Sequence, residues 1–313
     1  MRQRDVKGGG VAPLQSFQVT ALFELGWRGG VTETRLHRRR PGIDALPWST
    51  LDLAHHTEPD MLEARRVWSN GVFTEYASAA AFSSLATAML RCGAPVDLIA
   101  MAADVVVDEL FHVELSSRLT MELGGAMPIE FDVDDIAPVT TPGIRPLMRA
   151  AEIAITTSCV GEALSIPALA RSRALATEPL VRAVLDRLLA DEGPHAKCGL
   201  WFFDWAADQL TDDERAHLAR LAEATIETYA PLWQGDDVLG LHDAAGARAM
   251  RDAVDTAIAT PLARYGIAIE RAALHLGVAS SASDRRSDRV LVRRDGARRL
   301  HAHGLWRHSV RRR

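Results

Sequence analysis

The chain has 313 residues, 48% hydrophobic and 25% charged, with a formal net charge of -5 at pH 7, the balance of an ordinary globular protein with room for a sizeable core. Three scattered cysteines, Cys92, Cys159 and Cys198, exclude a disulfide framework, and without a CxxC pair they give no zinc motif. Gly8, Gly9 and Gly10 stand where a signal peptide would need an apolar run, and no uninterrupted apolar stretch reads as membrane-spanning, so a soluble, cytoplasmic protein with no membrane partner is expected.

Composition divides the chain into three zones. Residues 1–59 are Gly/Arg-rich and weakly patterned, and an irregular segment is expected there. Residues 60–277 form the helical domain with its accessory helices. Residues 278–313 are Arg-rich; the part from 284 onward holds eleven Arg and three Asp, a local balance of +8 that leaves -13 for the rest. With no RNA-binding motif and only Trp306 as an aromatic, this tail reads as a disordered, solvated segment rather than a nucleic-acid site.

Within the helical zone, Pro, Gly and charge clusters cut segments at about 60–91, 96–123, 144–176, 180–210, 212–232 and 246–276, and strand signals are nearly absent. In the first, Trp68, Val72, Glu75, Ala79, Phe82 and Ala86 recur along one helix face, so a carboxylate interrupts an apolar stripe. The second repeats this with Leu98, Ala102, Val105, Glu109, His112 and Leu119. The third does so with Ile155, Cys159, Glu162, Ile166 and Leu169, and the fourth with Leu185, Leu188, Glu192, His195 and Phe202. The fifth opens with a capping box, Thr211 and Glu214, and with Tyr229 and Trp233 is expected to buttress the others without supplying ligands.

Burying a lone carboxylate costs several kcal/mol. Four mid-helix glutamates on core faces therefore need compensation, and no matching set of Lys or Arg lies on those faces. A pair of metal ions supplies it. One Glu from each of two helices and a Glu-x-x-His pair from each of the other two is the known bundle arrangement, because a spacing of three puts both side chains on one face. Glu75, Glu109, His112, Glu162, Glu192 and His195 give that set in order.

The turns agree with this reading. Position 92, midway between Glu75 and Glu109, begins Cys92-Gly93-Ala94-Pro95, a helix stop and restart. Position 177, midway between Glu162 and Glu192, begins Thr177-Glu178-Pro179. Each hairpin thus brings its ligands to one height. The long stretch between His112 and Glu162, with its Gly/Pro/Asp-rich part from Gly124 to Gly143, is expected to be a crossover joining two hairpins. Asp108 and Asp191 each precede a Glu-x-x-His pair and are candidates to hold the outer ring N–H of a ligating imidazole. Gly193 and Pro194 lie inside the fourth segment, where they predict a kink or π-bulge that re-aims His195.

On these residues the chain resembles the ferritin-like di-iron carboxylate superfamily over roughly residues 62–210. The doubled D-E-x-x-H signature is most similar to its oxygen-activating branch. The resemblance implies an all-α, ferritin-like four-helix bundle with a long crossover connection and additional C-terminal helices. It further implies two Fe ions, with Mn or mixed Fe/Mn suiting the same ligands, one metal chiefly on Glu75, Glu109 and His112 and the other on Glu162, Glu192 and His195. Dioxygen would be co-substrate for an oxygenase or oxidase that hydroxylates, desaturates, N-oxygenates or cleaves a small organic substrate. An electron donor such as a ferredoxin or reductase, and a homodimer, are the expected partners.

The alternatives are a ferritin- or rubrerythrin-like protein for iron oxidation, storage or peroxide removal, and a tRNA-type hydroxylase. Two departures narrow the branch. Ser116 stands where a radical-storing reductase subunit would have tyrosine, and Leu188 where an arylamine N-oxygenase would have a further ligand histidine. Small residues beside the ligands, Ala77, Ser78, Ala79, Ala102 and Ala103, either leave a substrate pocket lined by Trp68, Phe73 and Phe111 or let the helices pack closely. Cys159 and Cys198 are expected to be core filler, and the His55-His56 pair to be surface.

Overall fold

In the computed structural model the described residues are 20–132, 136–229 and 244–270. They are all-α apart from one two-stranded ribbon, β1 (Thr20–Leu22) and β2 (Glu130–Asp132), paired antiparallel with Thr20 opposite Asp132.

Two hairpins organise the helices. The first joins α2 (Glu58–Cys92) to α3 (Val96–Glu122). Its start is fixed by a capping box in which Thr57 and Asp60 satisfy each other's backbone N–H, two donors a helix cannot satisfy internally. Its stop is Gly93, at φ 72°, a left-handed conformation that glycine adopts without steric cost. Pro95 then caps α3.

The second hairpin begins as one long helix composed of α4 (Pro146–Ile153), a π-helical stretch Ala154–Glu162, and α5 (Ala163–Leu175). It turns at residues 176–178 into α6 (Pro179–Ala206). Contacts run from α2 to α3, α3 to α6, α6 to the π stretch and α5, and α4 back to α2, so the four long segments meet in a ring. The helix Pro146–Leu175 is long and apolar enough to cross a membrane by length and composition, which amends the sequence reading. Some 61% of an apolar 18-residue stretch within it is buried inside the protein, and the helix carries the buried residues Glu152 and Glu162.

After the expected Thr211–Glu214 capping box, α7 (Asp212–Tyr229) lies against the π stretch, and α8 (Ala244–Ala253) against α5. A second π stretch, Val254–Ala259, leads into α9 (Thr260–Ala263). Buried Tyr229 packs as anticipated, its hydroxyl close beside Gly161. Trp233 and the Arg-rich tail lie outside the described residues.

Two differences from the sequence reading bear on the site. The head, expected to be irregular up to residue 59, carries α1 (Val31–Arg39) and two short 3-10 turns. Helix α1 buries none of its residues, so it has no apolar stripe to betray it; polar contacts to α3 hold it, a hydrogen bond between His37 and Glu114 at 2.8 Å and an ion pair from Arg40 to Asp104 at 3.0 Å.

The second difference is in α6, which stays α-helical through Gly193 and Pro194; the π-helix lies in the facing segment instead. Pro194 is exposed, so the carbonyl freed by its missing N–H is on the wet side. One turn later α6 is held from outside. Ser158 of the π stretch donates to the His195 carbonyl at 2.6 Å and accepts from the Gly199 amide at 2.7 Å. An undisturbed α-helix would pair those two backbone groups with each other.

The core has two apolar clusters. One includes Phe82, Leu85, Met89, Val105, Cys198 and Phe202; the other includes Phe111, Leu115, Leu119, Leu180, Leu185 and Leu188. On α3 and α6 the polar residues Glu109, His112, Glu192 and His195 fall at the junction between these clusters, forming a charged layer in an apolar column.

Candidate metal centre

Helical spacing puts Glu109 and His112 on one face of α3, and Glu192 and His195 on one face of α6. All four are essentially buried, with His112 and His195 at 0% exposure. Glu162 is buried at the end of the π stretch, and Glu75 on α2 is nearly so, its side chain 15% exposed. The structure brings all six residues into three overlapping groups whose ligand-capable atoms lie within 4.8 Å of one another: Glu109 with His112 and His195, Glu75 with His112 and Glu192, and Glu162 with Glu192 and His195.

Both imidazoles are oriented alike. His112 Nδ1 faces inward, 3.5 Å from Glu75 and 3.8 Å from Glu192. His195 Nδ1 also faces inward, 2.8 Å from Glu109 Oε1 and 3.6 Å from Glu192. The short contact to Glu109 is one of proximity only: the pair does not meet hydrogen-bond geometry, and both atoms, like His112 Nδ1, have no hydrogen-bond partner among the described residues. Three buried polar atoms aimed into one space without partners are costly. They are placed as donor atoms around a shared cation would be, and the carboxylate and imidazole set suits iron or manganese. The residues fit a bound metal.

The outer ring nitrogens make a cross. His112 of α3 meets Asp191 of α6, Nε2 to Oδ2 at 3.2 Å, and His195 of α6 meets Asp108 of α3 at 3.3 Å. Each Glu-x-x-His pair is thus supported by the aspartate that introduces the other. Each aspartate is in turn held by an arginine: Arg40, just past α1, binds Asp108, and Arg187 binds Asp191 at 3.0 Å. Ser78 donates to Glu162 at 2.7 Å, and Ser165, which donates to the Glu162 carbonyl at 2.8 Å, lies 3.3 Å from Glu192 Oε2.

Burial dominates the electrostatics. It pushes Glu109 up to about 8, with Glu75 adding repulsion, and it raises Glu162 well above the carboxylate range, helped by Glu109 and Glu192. Glu192 is lowered despite burial, because His195 and His112 face it. Burial opposes protonation of His112 and His195, yet Asp191 and Glu75 raise the first and Asp108 and Glu109 raise the second. Burial likewise opposes ionisation of Asp108, but His195 and Arg40 bring it down to about 2. Without metal, protons supply part of the positive charge that this layer requires.

The aromatic residues expected to line a substrate pocket have separate places. Phe73 stacks in a cluster with Phe23 and Phe131 at ring separations of 5.1 and 5.3 Å beside the ribbon. Phe111 is fully buried, with the Arg187 guanidinium 5.0 Å from its ring centre. Trp68 packs against the second apolar cluster. Of the small residues, Ala77, Ala79 and Ala102 are buried where helices approach, while Ala103 is exposed. Cys159 and Cys198 are buried at 1% each. Burial raises both thiols, Cys198 to about 12, so both stay protonated. His55 is exposed, whereas half-buried His56 binds Glu178 at 3.0 Å.

Sequence reasoning missed Arg40, Arg187, Ser158 and Ser165. Arg187 was discoverable, standing four residues before Asp191 on one helix face. Arg40 and Ser158 reach the site through tertiary packing and leave no local signal. Comparisons with protein-family models, with curated proteins and with solved structures each find no match.

Proposed function

We propose that this protein is a ferritin-like, non-haem di-iron enzyme that uses dioxygen to oxidise a small organic substrate. The observation that carries the reading is the pair of inward-facing, unpartnered imidazole nitrogens among four interior glutamates. Glu75, Glu109 and His112 would hold chiefly one iron and Glu162, Glu192 and His195 the other. Two bound irons would supply redox electrons and open positions for dioxygen.

The chain's own residues account for the rest. Asp108 and Asp191 fix the tautomer of His195 and His112 by accepting from Nε2, which leaves Nδ1 free toward the centre. Ser78 keeps Glu162 aimed by donating to one of its carboxylate oxygens, and Ser165, bound to the Glu162 carbonyl, sits against the Glu192 carboxylate. The apolar clusters above and below the charged layer exclude bulk water, which strengthens every interaction inside it. Arg40 and Arg187 balance the aspartates from outside, so the added negative charge is not carried by the centre alone.

Metal content per chain after anaerobic reconstitution with Fe(II) tests the proposal, on wild type and on the Glu109→Ala/His112→Ala variant. Two irons in the wild type and a loss in the variant are expected. Little metal in either would overturn it. Substrate-independent Fe(II) oxidation with accumulation of a mineral core would instead make the protein a storage one.

A further inference from the structure

A cleft of about 300 Å³ lies on the opposite reach of the bundle, between α2 and α4 and under the strand of chain at residues 138–140. We propose that it binds a small oxyanionic ligand, a phosphate or carboxylate compound, through Arg91, Arg149 and Thr140. It is distinct from the metal centre: its α2 residues run from Ser83 to Arg91, eight to sixteen positions beyond Glu75, or about 12 to 24 Å along the helix axis. The proposal does not rest on the di-iron reading.

The charge balance of the cleft points to an anion. Its described lining residues include two arginines and no carboxylate, in a chain with more acidic than basic side chains. Elsewhere in the bundle Arg145, Arg173, Arg187 and Arg215 each hold a carboxylate. Among the described residues, the side chains of Arg91 and Arg149 make no hydrogen bond or ion pair. Helix electrostatics account for Arg91, in the last turn of α2, where the dipole favours a cation. They do not account for Arg149, one turn into α4, near the positive end of its helix, where a cation is disfavoured and an anion favoured.

Donor geometry narrows the ligand class. The hydroxyls of Ser83, Ser84 and Thr87 already donate to carbonyls of their own helix, so they offer only acceptor lone pairs. The free donors are the two guanidinium forks and Thr140, whose hydroxyl makes no hydrogen bond among the described residues. A guanidinium matches the paired oxygens of phosphate and carboxylate. Buried Ala88 and Ile153 are the apolar part of the lining, and the volume is at the small end of ligand pockets.

The test is calorimetric titration of the full chain with inorganic phosphate and with succinate, against chloride at matched ionic strength. The proteins are wild type, Arg91→Gln/Arg149→Gln, Arg149→Lys and, as control, Arg220→Gln, an exposed arginine outside the cleft. Saturable binding of at least one probe is expected, weakened tenfold or more in the double variant, weakened less in Arg149→Lys and unchanged in Arg220→Gln. Which probe binds distinguishes a phosphate from a carboxylate ligand. No saturable binding of either, or full affinity in the double variant with its helical content intact, overturns the proposal.

Discussion

Replacing Gly199 by alanine sets two effects against each other. Helix propensity favours alanine over glycine by about 1 kcal/mol inside a helix, so α6 taken alone would gain stability. The packing is against it: a Cβ at this position would lie 2.6 Å from Cys159 Sγ, 3.0 Å from the Ala154 carbonyl oxygen and 3.1 Å from Ser158 Cβ. The carbonyl is backbone, Ser158 is tethered to α6 by two hydrogen bonds, and Cys159 is itself buried, so none can yield cheaply. Overpacking of this kind costs about 1 to 3 kcal/mol, and backbone contact puts this case at the upper end. The net expectation is a loss of about 2 kcal/mol, or a melting temperature lower by roughly 3 °C for a chain of this size. Urea unfolding of metal-free wild type, Gly199→Ala, Cys159→Ala and the double variant measures it, and the double variant should recover part of the loss because its shortest contact is gone. A Gly199→Ala protein as stable as wild type would refute the close approach of the π stretch to α6.

Three further outcomes follow from the site. Asp108→Asn and Asp191→Asn should each weaken iron binding about 10- to 100-fold while leaving both imidazoles in place, read by competition with a chelator; unchanged affinity would remove the aspartates from the site's support. Arg40→Met should raise the Asp108 carboxyl from about 2, because the guanidinium beside it is lost, and a carbon-13 titration of the aspartate carboxyls would see the shift. Stability of the metal-free protein should fall as pH rises from 6 to 8.5. Glu109, raised to about 8, and His112 and His195, raised above the ordinary histidine value, all bind protons more tightly folded than unfolded, so each stabilises the fold at low pH and loses that contribution on deprotonation. Asp108 and Glu192, both lowered, titrate below this window. Melting temperatures across the range check the sign, and a rise with pH would contradict it.

The ligand-capable residues were legible because each breaks a periodic apolar pattern: a glutamate in the Val72–Ala79–Phe82 stripe is conspicuous in a way that an exposed glutamate is not. The hairpin turns were legible for the same local reason, since Gly93 and Pro179 act on their own backbone. What escaped was tertiary. Helix α1 has four arginines or histidines in its last residues and no buried face, so nothing in its periodicity distinguishes it from a solvated loop. The glycine and proline at 193 and 194 announced a distortion that the helix absorbs on its outer face. The hold on α6 comes from Ser158, an ordinary serine in a run of small residues, whose role depends on which helix stands opposite.

The crossed aspartates make the two hairpins mutually dependent. Neither hairpin contains a complete supported histidine: the first has His112 but not Asp191, and the second has His195 but not Asp108. A chain with only one hairpin formed would have imidazoles free to rotate and carboxylates still in water, so metal uptake by the proposed centre would await docking of α3 against α6. Metal retention by the proposed centre would therefore report on the seam between the hairpins, and a substitution that loosens this seam one helical turn from the ligands, at Leu115 or Leu188 for instance, would release metal before it unfolded a helix.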